Sequence, residues 1–258
     1  MNALENIVLY YNQSAKKDIF HETARNMLEH LQELEGMTIY DMAEICMVST
    51  TTISRFVKQL GYKNYLDFTL HLNDLLQNYN YHNQLLPVTR SAQENTPQYY
   101  LTSMMEQLHA MQLELPQLNL GDFTRMLHES RRVFFFCYAI VGQEFFLQID
   151  LLVSGIMSRI VNQPVAQLQL AEQLSPEDTI VVILPDLRES TTLREIIYTA
   201  HTREAGIILI TTSDSAPINQ YADLCYAFNG TTTMSDLYRI NFFISLLQLE
   251  YRHEYLLN

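Results

Sequence analysis

The stretch whose reading decides the fold is Thr38-Ile-Tyr-Asp-Met-Ala-Glu-Ile-Cys-Met-Val-Ser-Thr-Thr-Thr-Ile-Ser-Arg-Phe-Val-Lys-Gln-Leu-Gly61. Thr38 has the short hydroxyl of a helix N-cap, and the residues after it fit a short helix over Ile39 to Cys46. Met47 and Val48 leave room only for a tight connection. Ser49 then caps a second helix that runs to Leu60, and Gly61 stops it. At about 100° per residue, Ile53, Phe56, Val57 and Leu60 gather on one side, where they should pack against the first helix through Ala43 and Ile45. Thr51, Ser54, Arg55 and Lys58 gather on the opposite side. Two short helices joined by a turn, with the second showing such a face, form the layout of a DNA-reading helix–turn–helix.

The chemistry of that face suits a nucleic acid. Short hydroxyls let a helix N-terminus approach the phosphate backbone, where free N–H groups also donate. Arg55 has the fork for a guanine edge or a phosphate, while Lys58 and Lys63 act as point charges. The candidate DNA contacts are therefore Ser49, Thr50, Thr51, Thr52, Ser54, Arg55, Lys58 and Lys63. The same wheel also describes an ordinary amphipathic helix with a solvated polar face. Charge separates the two readings. The chain carries 16 Lys and Arg against 29 Asp and Glu, a net −13, yet no acid occurs between Val48 and Tyr65. Overall charge predicts repulsion of nucleic acid, so contact must come from a local patch. Residues 1–80 are net −4 and residues 81–258 net −9, and all four lysines lie at or before Lys63.

Working outward, residues 1–77 read as all helix. Ile19, Phe20, Ala24, Met27, Leu28, Leu31 and Leu34 make one stripe stopped by Gly36, and Tyr65 to Leu76 fits a further helix. Residues 78–97 are polar and bracketed by Pro87 and Pro97, which marks a linker. Helices resume from Gln98 to Leu115 and from Gly121 to Ser130. Short β-rich runs then alternate with helices: Val133–Tyr138, a weaker Arg159–Asn162, Thr179–Leu184, Ile207–Thr211 and Leu224–Phe228. The intervening helices are Phe145–Met157, Thr192–Ala205 and one from Met234 to Tyr255. Continuous apolar strands alternating with helices predict a parallel sheet covered on both faces. The expectation is an all-α domain over 1–77, a linker over 78–97 and an α/β domain over 98–258.

Apolar residues make up 48% of the 258 and charged ones 17%, enough for two cores and too apolar for disorder. The longest apolar run, Val133 to Val141, falls well short of the roughly 20 residues a spanning helix needs. The early residues lack a basic stretch before Ile7 to Tyr11 and lack a small-residue cleavage site, which points to the cytoplasm. Cys46, Cys137 and Cys225 sit far apart among apolar residues and read as buried, reduced thiols.

Val48-Ser-Thr-Thr-Thr-Ile-Ser-Arg-Phe-Val-Lys-Gln-Leu-Gly-Tyr-Lys-Asn-Tyr65 strongly resembles the recognition segment of the RpiR/MurR family of bacterial transcriptional regulators. The matching positions are Val48, Ser49, Thr52, Ile53, Arg55, Phe56, Leu60, Gly61, Tyr62 and Tyr65, and Met37 to Ala43 resembles the helix that leads into the turn. The resemblance implies a C-terminal SIS domain, an αβα module that binds sugar phosphates, and control of carbohydrate genes by a homodimer or higher homo-oligomer on an operator. In such domains, loops rich in Gly, Ser and Thr after the first and third strands cradle a phosphate. This chain departs at both. After the first strand it reads Cys137-Tyr-Ala-Ile-Val-Gly142, with Tyr138 as its one hydroxyl. After the third it reads Pro185-Asp-Leu-Arg-Glu-Ser-Thr-Thr192, where Asp186 and Glu189 oppose a phosphate. Arg188, Ser190, Thr191 and Thr192 remain candidates to cap an anion, and Ser190 or Thr191 equally fits plain helix capping. Thr212 and Ser213, after another strand, share that ambiguity.

No Walker loop, nucleophile elbow or dinucleotide fingerprint occurs, and no histidine pair has metal-ligand spacing with a Cys or carboxylate partner. No cofactor and no metal are expected. The enzyme alternative is a sugar-phosphate isomerase of the SIS type with an accessory helical domain, for which Glu144 and Glu195 are the possible bases. With the phosphate loops degraded and a DNA reader attached, a non-enzymatic regulator is the favoured reading.

Overall fold

The computed structural model describes residues 3–13, 18–77, 97–137, 142–184, 191–213, 216–228 and 234–257. The chain divides into two compact units, Met1–Asn83 and Gln84–Asn258. The segment expected to link them, apart from Pro97, lies outside the described residues.

Among the described residues the first unit has five α-helices: α1 (Ala3–Gln13), α2 (Ile19–Glu29), α3 (Ile39–Ile45), α4 (Thr50–Gln59) and α5 (Tyr65–Gln77). They share one apolar core, to which α1 gives Ile7, α2 Ala24 and Met27, α3 Met42, α4 Ile53, Phe56 and Val57, and α5 Phe68 and Leu72. Phe56 is central, with its ring 5.2 Å from Tyr10 edge-on and 5.6 Å from Phe20. The stripe running to Leu34 is not one helix. α2 stops at Glu29 and a 3-10 turn over Leu31–Glu33 follows, which still delivers Leu34 into the core.

The second unit holds a parallel five-stranded sheet in the order β2-β1-β3-β4-β5: β1 (Arg132–Cys137), β2 (Met157–Val161), β3 (Asp178–Leu184), β4 (Gly206–Thr211) and β5 (Leu224–Ala227). Its α-helices among the described residues are α6 (Pro97–Glu114), α7 (Leu120–Glu129), α8 (Gln143–Val153), α9 (Pro164–Ala171), α10 (Thr191–Thr202) and α11 (Met234–Tyr255). Alternation along the strands sends Val133 and Phe135 to one face, under Phe123, Leu147, Leu151 and Phe243. Phe134 and Phe136 go to the other, under Leu193, Ile196 and Ile197. The result is an αβα sandwich, with central β3 buried along its whole length.

Several local expectations need correction. The helix expected over Phe145–Met157 ends at Val153, because Gly155 turns the chain at φ 85° and Met157 already pairs with Arg132. α9 was not foreseen, although Pro164 at its first position is a helix-start signal. Cys46 and Cys137 are buried, but Cys225 is exposed, because β5 is an edge strand. No helix among the described residues is long and apolar enough to cross a membrane.

Candidate nucleic-acid interface

α3 and α4 form the helix–turn–helix. Thr38 caps α3 in a reciprocal box: its Oγ1 accepts from the Asp41 N–H, and the Asp41 carboxylate accepts from the Thr38 N–H at 2.9 Å. The Thr38 hydroxyl and N–H together hold the Asp41 carboxyl below its ordinary value. The turn passes through Met47 at φ 55°, a left-handed conformation that a side chain adopts only at a cost. Ser49 then caps α4 by accepting the Thr52 N–H at 3.1 Å. Gly61, at φ 95°, carries the chain away after Leu60.

The turn is held from behind. Asn26, buried on α2, donates from Nδ2 to the Cys46 carbonyl at 3.0 Å. The Cys46 thiol faces the Thr23 carbonyl, and burial pushes it up to about 12. Tyr65 donates to the Met37 carbonyl at 2.9 Å, and Asn6 donates to the Tyr62 hydroxyl at 3.2 Å. Burial pushes the Tyr62 phenol up to about 12, so it stays neutral. α4 packs on α3 through Met42, Ala43 and Cys46. Ala43 does what its spacing predicts, while Ile45 stays outside the core cluster, because the inward face of α3 runs through Met42, Ala43 and Cys46 and leaves Ile45 to its side.

This packing decides what α4 presents. Thr51, Arg55 and Lys58 are exposed, as are Ser49 ahead of the helix and Lys63 beyond it, while Thr50, Thr52 and Ser54 are half-buried. Arg25, on α2, is paired with Glu22 at 2.7 Å and Glu29 at 3.6 Å. Arg55, Lys58 and Lys63 make no ion pair among the described residues, so their charge is available. The Lys63 N–H is used locally, donating to Asp67 at 2.9 Å. Ser49 and Thr52 are also engaged with each other, their hydroxyls 2.9 Å apart. Sequence reasoning passed over Tyr40, which stands 74% exposed in the first turn of α3, beside the capping box. Its signal was available, since an aromatic at the second position of this capped helix falls outside the apolar stripe.

In the second unit, β2 and β3 lie on opposite sides of β1, so the strand order reverses there, the position at which open parallel sheets bind ligands beyond the strand carboxyl ends. Tyr138, Arg188 and Ser190 lie outside the described residues. Thr191 is exposed and Thr192 half-buried in the first turn of α10. Thr212 is buried after β4, its hydroxyl without a hydrogen-bond partner among the described residues, and Ser213 is half-buried, its carbonyl accepting from Asn219. Glu144, buried in the first turn of α8, hydrogen-bonds the Cys137 thiol at the end of β1; burial and this carboxylate push the thiol up. Glu195 is exposed on α10.

Residues 1–79 match the helix-turn-helix domain of the rpiR family. The N-terminal unit is an rpiR-family helix–turn–helix domain. The chain is also similar to the Vibrio vulnificus NanR protein complexed with ManNAc-6P: TM-score 0.53, 14% identity, covering 98% of this chain and 93% of that one. It is similar as well to the sugar isomerase domain of an RpiR transcription factor from Sphaerobacter thermophilus: TM-score 0.50, 15% identity, covering 61% of this chain and 92% of that one. At these identities the likeness is one of fold, and the C-terminal unit has the sugar isomerase domain fold behind an RpiR-type DNA-binding domain. No curated protein matches.

Proposed function

We propose that this chain is a DNA-binding transcriptional regulator of the RpiR type, with no catalytic activity, whose C-terminal unit responds to a phosphosugar. The observation that carries the reading is the exposed face of α4, where Thr51, Arg55 and Lys58 stand with Lys63 nearby, unneutralised and free of acid, in a chain that is otherwise strongly acidic. One recognition helix reads only a few base pairs, so two copies reading two half-sites are part of the proposal. Three cations per copy predict a log–log salt slope of about −5 for a dimer. Retention of the folded chain on duplex DNA across a salt series tests this. No attraction to any duplex, even in dilute buffer, overturns it.

The effector half of the proposal rests on the reversal of strand order at β1, with Tyr138, Arg188, Ser190, Thr191, Thr192, Thr212 and Ser213, all at or just beyond the strand carboxyl ends in sequence, as its candidate contacts. NanR was solved with ManNAc-6P, and a ligand of that class is the first to try. A ligand at 100 times its Kd adds about 2.7 kcal/mol of stability, which a thermal-shift panel of phosphosugars reads directly. Catalysis requires a base held at the reacting carbons. Glu144 is engaged with the Cys137 thiol and Glu195 is exposed, which supports a sensor rather than an isomerase.

A further inference from the structure

We propose that Met47 is a DNA-contacting residue whose side chain meets apolar carbon of the duplex beside the start of the recognition helix. α3 ends in a Schellman motif: the Val48 N–H donates back to the Ala43 carbonyl at 2.9 Å and the Met47 N–H to the Glu44 carbonyl at 3.0 Å. The motif needs a left-handed residue at its pivot, and Met47 supplies it at φ 55°. Glycine is the usual occupant, because a Cβ there crowds the following carbonyl. Among the described residues the other positive-φ positions are Gly36, Gly61, Gly142 and Gly155, with Glu204 as the one further exception.

The strain at Met47 has no compensation inside the fold. Its side chain is 79% exposed, and no large apolar side chain among the described residues is more so. The pivot itself is held by other groups, namely the two motif bonds and the Asn26 bond to the neighbouring Cys46 carbonyl. A strained residue whose side chain does nothing for its own fold points to a role outside the chain. Its place says which. Met47 precedes Ser49, the cap of α4, by two residues, at the end of the helix where Thr51 stands exposed. Hydroxyls and cations on α4 suit phosphates and base edges, whereas an unbranched thioether offers a flexible apolar surface. A duplex presents matching carbon in the deoxyribose of its backbone and in the C5 methyl of thymine. The proposal rests on the DNA-binding reading and adds to it a contact that carries no charge.

The test compares the full-length wild type with Met47→Gly, Met47→Asn and Met47→Leu by fluorescence anisotropy on a mixed-sequence duplex across a salt series, with melting curves alongside. Glycine and asparagine both accept the left-handed conformation, so these two variants are expected to melt no lower than the wild type. Their duplex affinity is nonetheless expected to fall at least about fivefold, with the salt slope unchanged because no cation is lost. Leucine keeps the apolar surface and should stay within about twofold of the wild type. A second duplex with deoxyuridine in place of thymine separates the two carbon sources. A methyl contact makes the difference between wild type and Met47→Gly disappear there, and a sugar contact preserves it. Equal affinity of the wild type and the glycine and asparagine variants overturns the proposal and leaves the regulator reading standing. A glycine variant that melts lower, or a leucine variant as weak as glycine, overturns it too. A wild type with no attraction to the duplex in dilute buffer removes both.

Discussion

The Asn26 side chain donates to the Cys46 carbonyl at 3.0 Å, across 20 residues, and so ties α2 to the end of α3 where the helix–turn–helix bends. Both groups are buried, and the bond satisfies a carbonyl that α3 leaves open at its C-terminus. Asn26→Ala is therefore expected to cost about 1–3 kcal/mol, the penalty for a buried acceptor left without a donor. Urea denaturation of the full chain measures it on the transition of the first unit. An unchanged midpoint would show that the turn holds without this tie.

Ser49 has two possible duties, capping α4 and approaching phosphate, and one substitution separates them. Aspartate caps a helix N-terminus as well as serine does and suits its positive end. Ser49→Asp should keep the melting temperature of the wild type while placing the first acid on the α4 surface. Duplex affinity is expected to fall by at least about tenfold, or 1.4 kcal/mol, from the added repulsion. Full affinity in a stable Ser49→Asp protein would move the DNA contact away from this end of the helix.

Arg55 is exposed and makes no ion pair among the described residues, so removing it has no folding penalty to confuse the result. Arg55→Ala is expected to lose about 1–3 kcal/mol of operator affinity with the unfolding midpoint unchanged. Lys58→Ala should weaken binding to all sequences alike and lower the salt slope by about 1 per copy. Fluorescence anisotropy on a specific and a scrambled duplex distinguishes the two behaviours.

A further expectation concerns acid stability of the second unit. The Asp178 carboxylate, at the start of β3, is buried, which by itself raises its pKa. Arg132, at 2.6 and 2.8 Å, and the Ser175 hydroxyl and N–H, at 2.8 and 2.9 Å, outweigh burial and hold it at about 2. A carboxyl depressed on folding stabilises the folded state above the ordinary carboxylate value near 4, and that contribution disappears as pH falls toward 2. The amount at neutral pH is about 2 kcal/mol. Melting curves between pH 6 and pH 2 should show Asp178→Asn losing stability at neutral pH and converging on the wild type near pH 2. Parallel curves would remove the pair from the account.

Much of the architecture was legible from residue order. Thr38, Ser49 and Gly61 act through local backbone hydrogen bonds and a positive φ, so their roles could be read before any tertiary contact was known. The strands β1 and β3 were legible as the apolar runs Val133–Tyr138 and Thr179–Leu184, because both faces of a parallel sheet are covered; in the structure they span Arg132–Cys137 and Asp178–Leu184. Ile45 and Cys225 were misjudged for one reason: hydrophobicity says that a side chain can be buried, and only the neighbouring elements say whether it is. Tyr40 escaped notice because the apolar stripe explains inward positions and is silent on outward ones.

What the residue order settled by itself is the identity and succession of the elements, together with an acid-free, cation-bearing stretch from Val48 to Tyr65, since capping, periodicity and charge are properties of neighbours in the chain. Tertiary structure alone decided which charges stay free and which apolar residues stay out. Arg25 is neutralised by Glu22 and Glu29 while Arg55 is not, and α8 turns its acids inward toward Arg252 and Cys137 while its phenylalanines meet solvent. Those outcomes depend on distances between segments far apart in the chain, which no local pattern encodes.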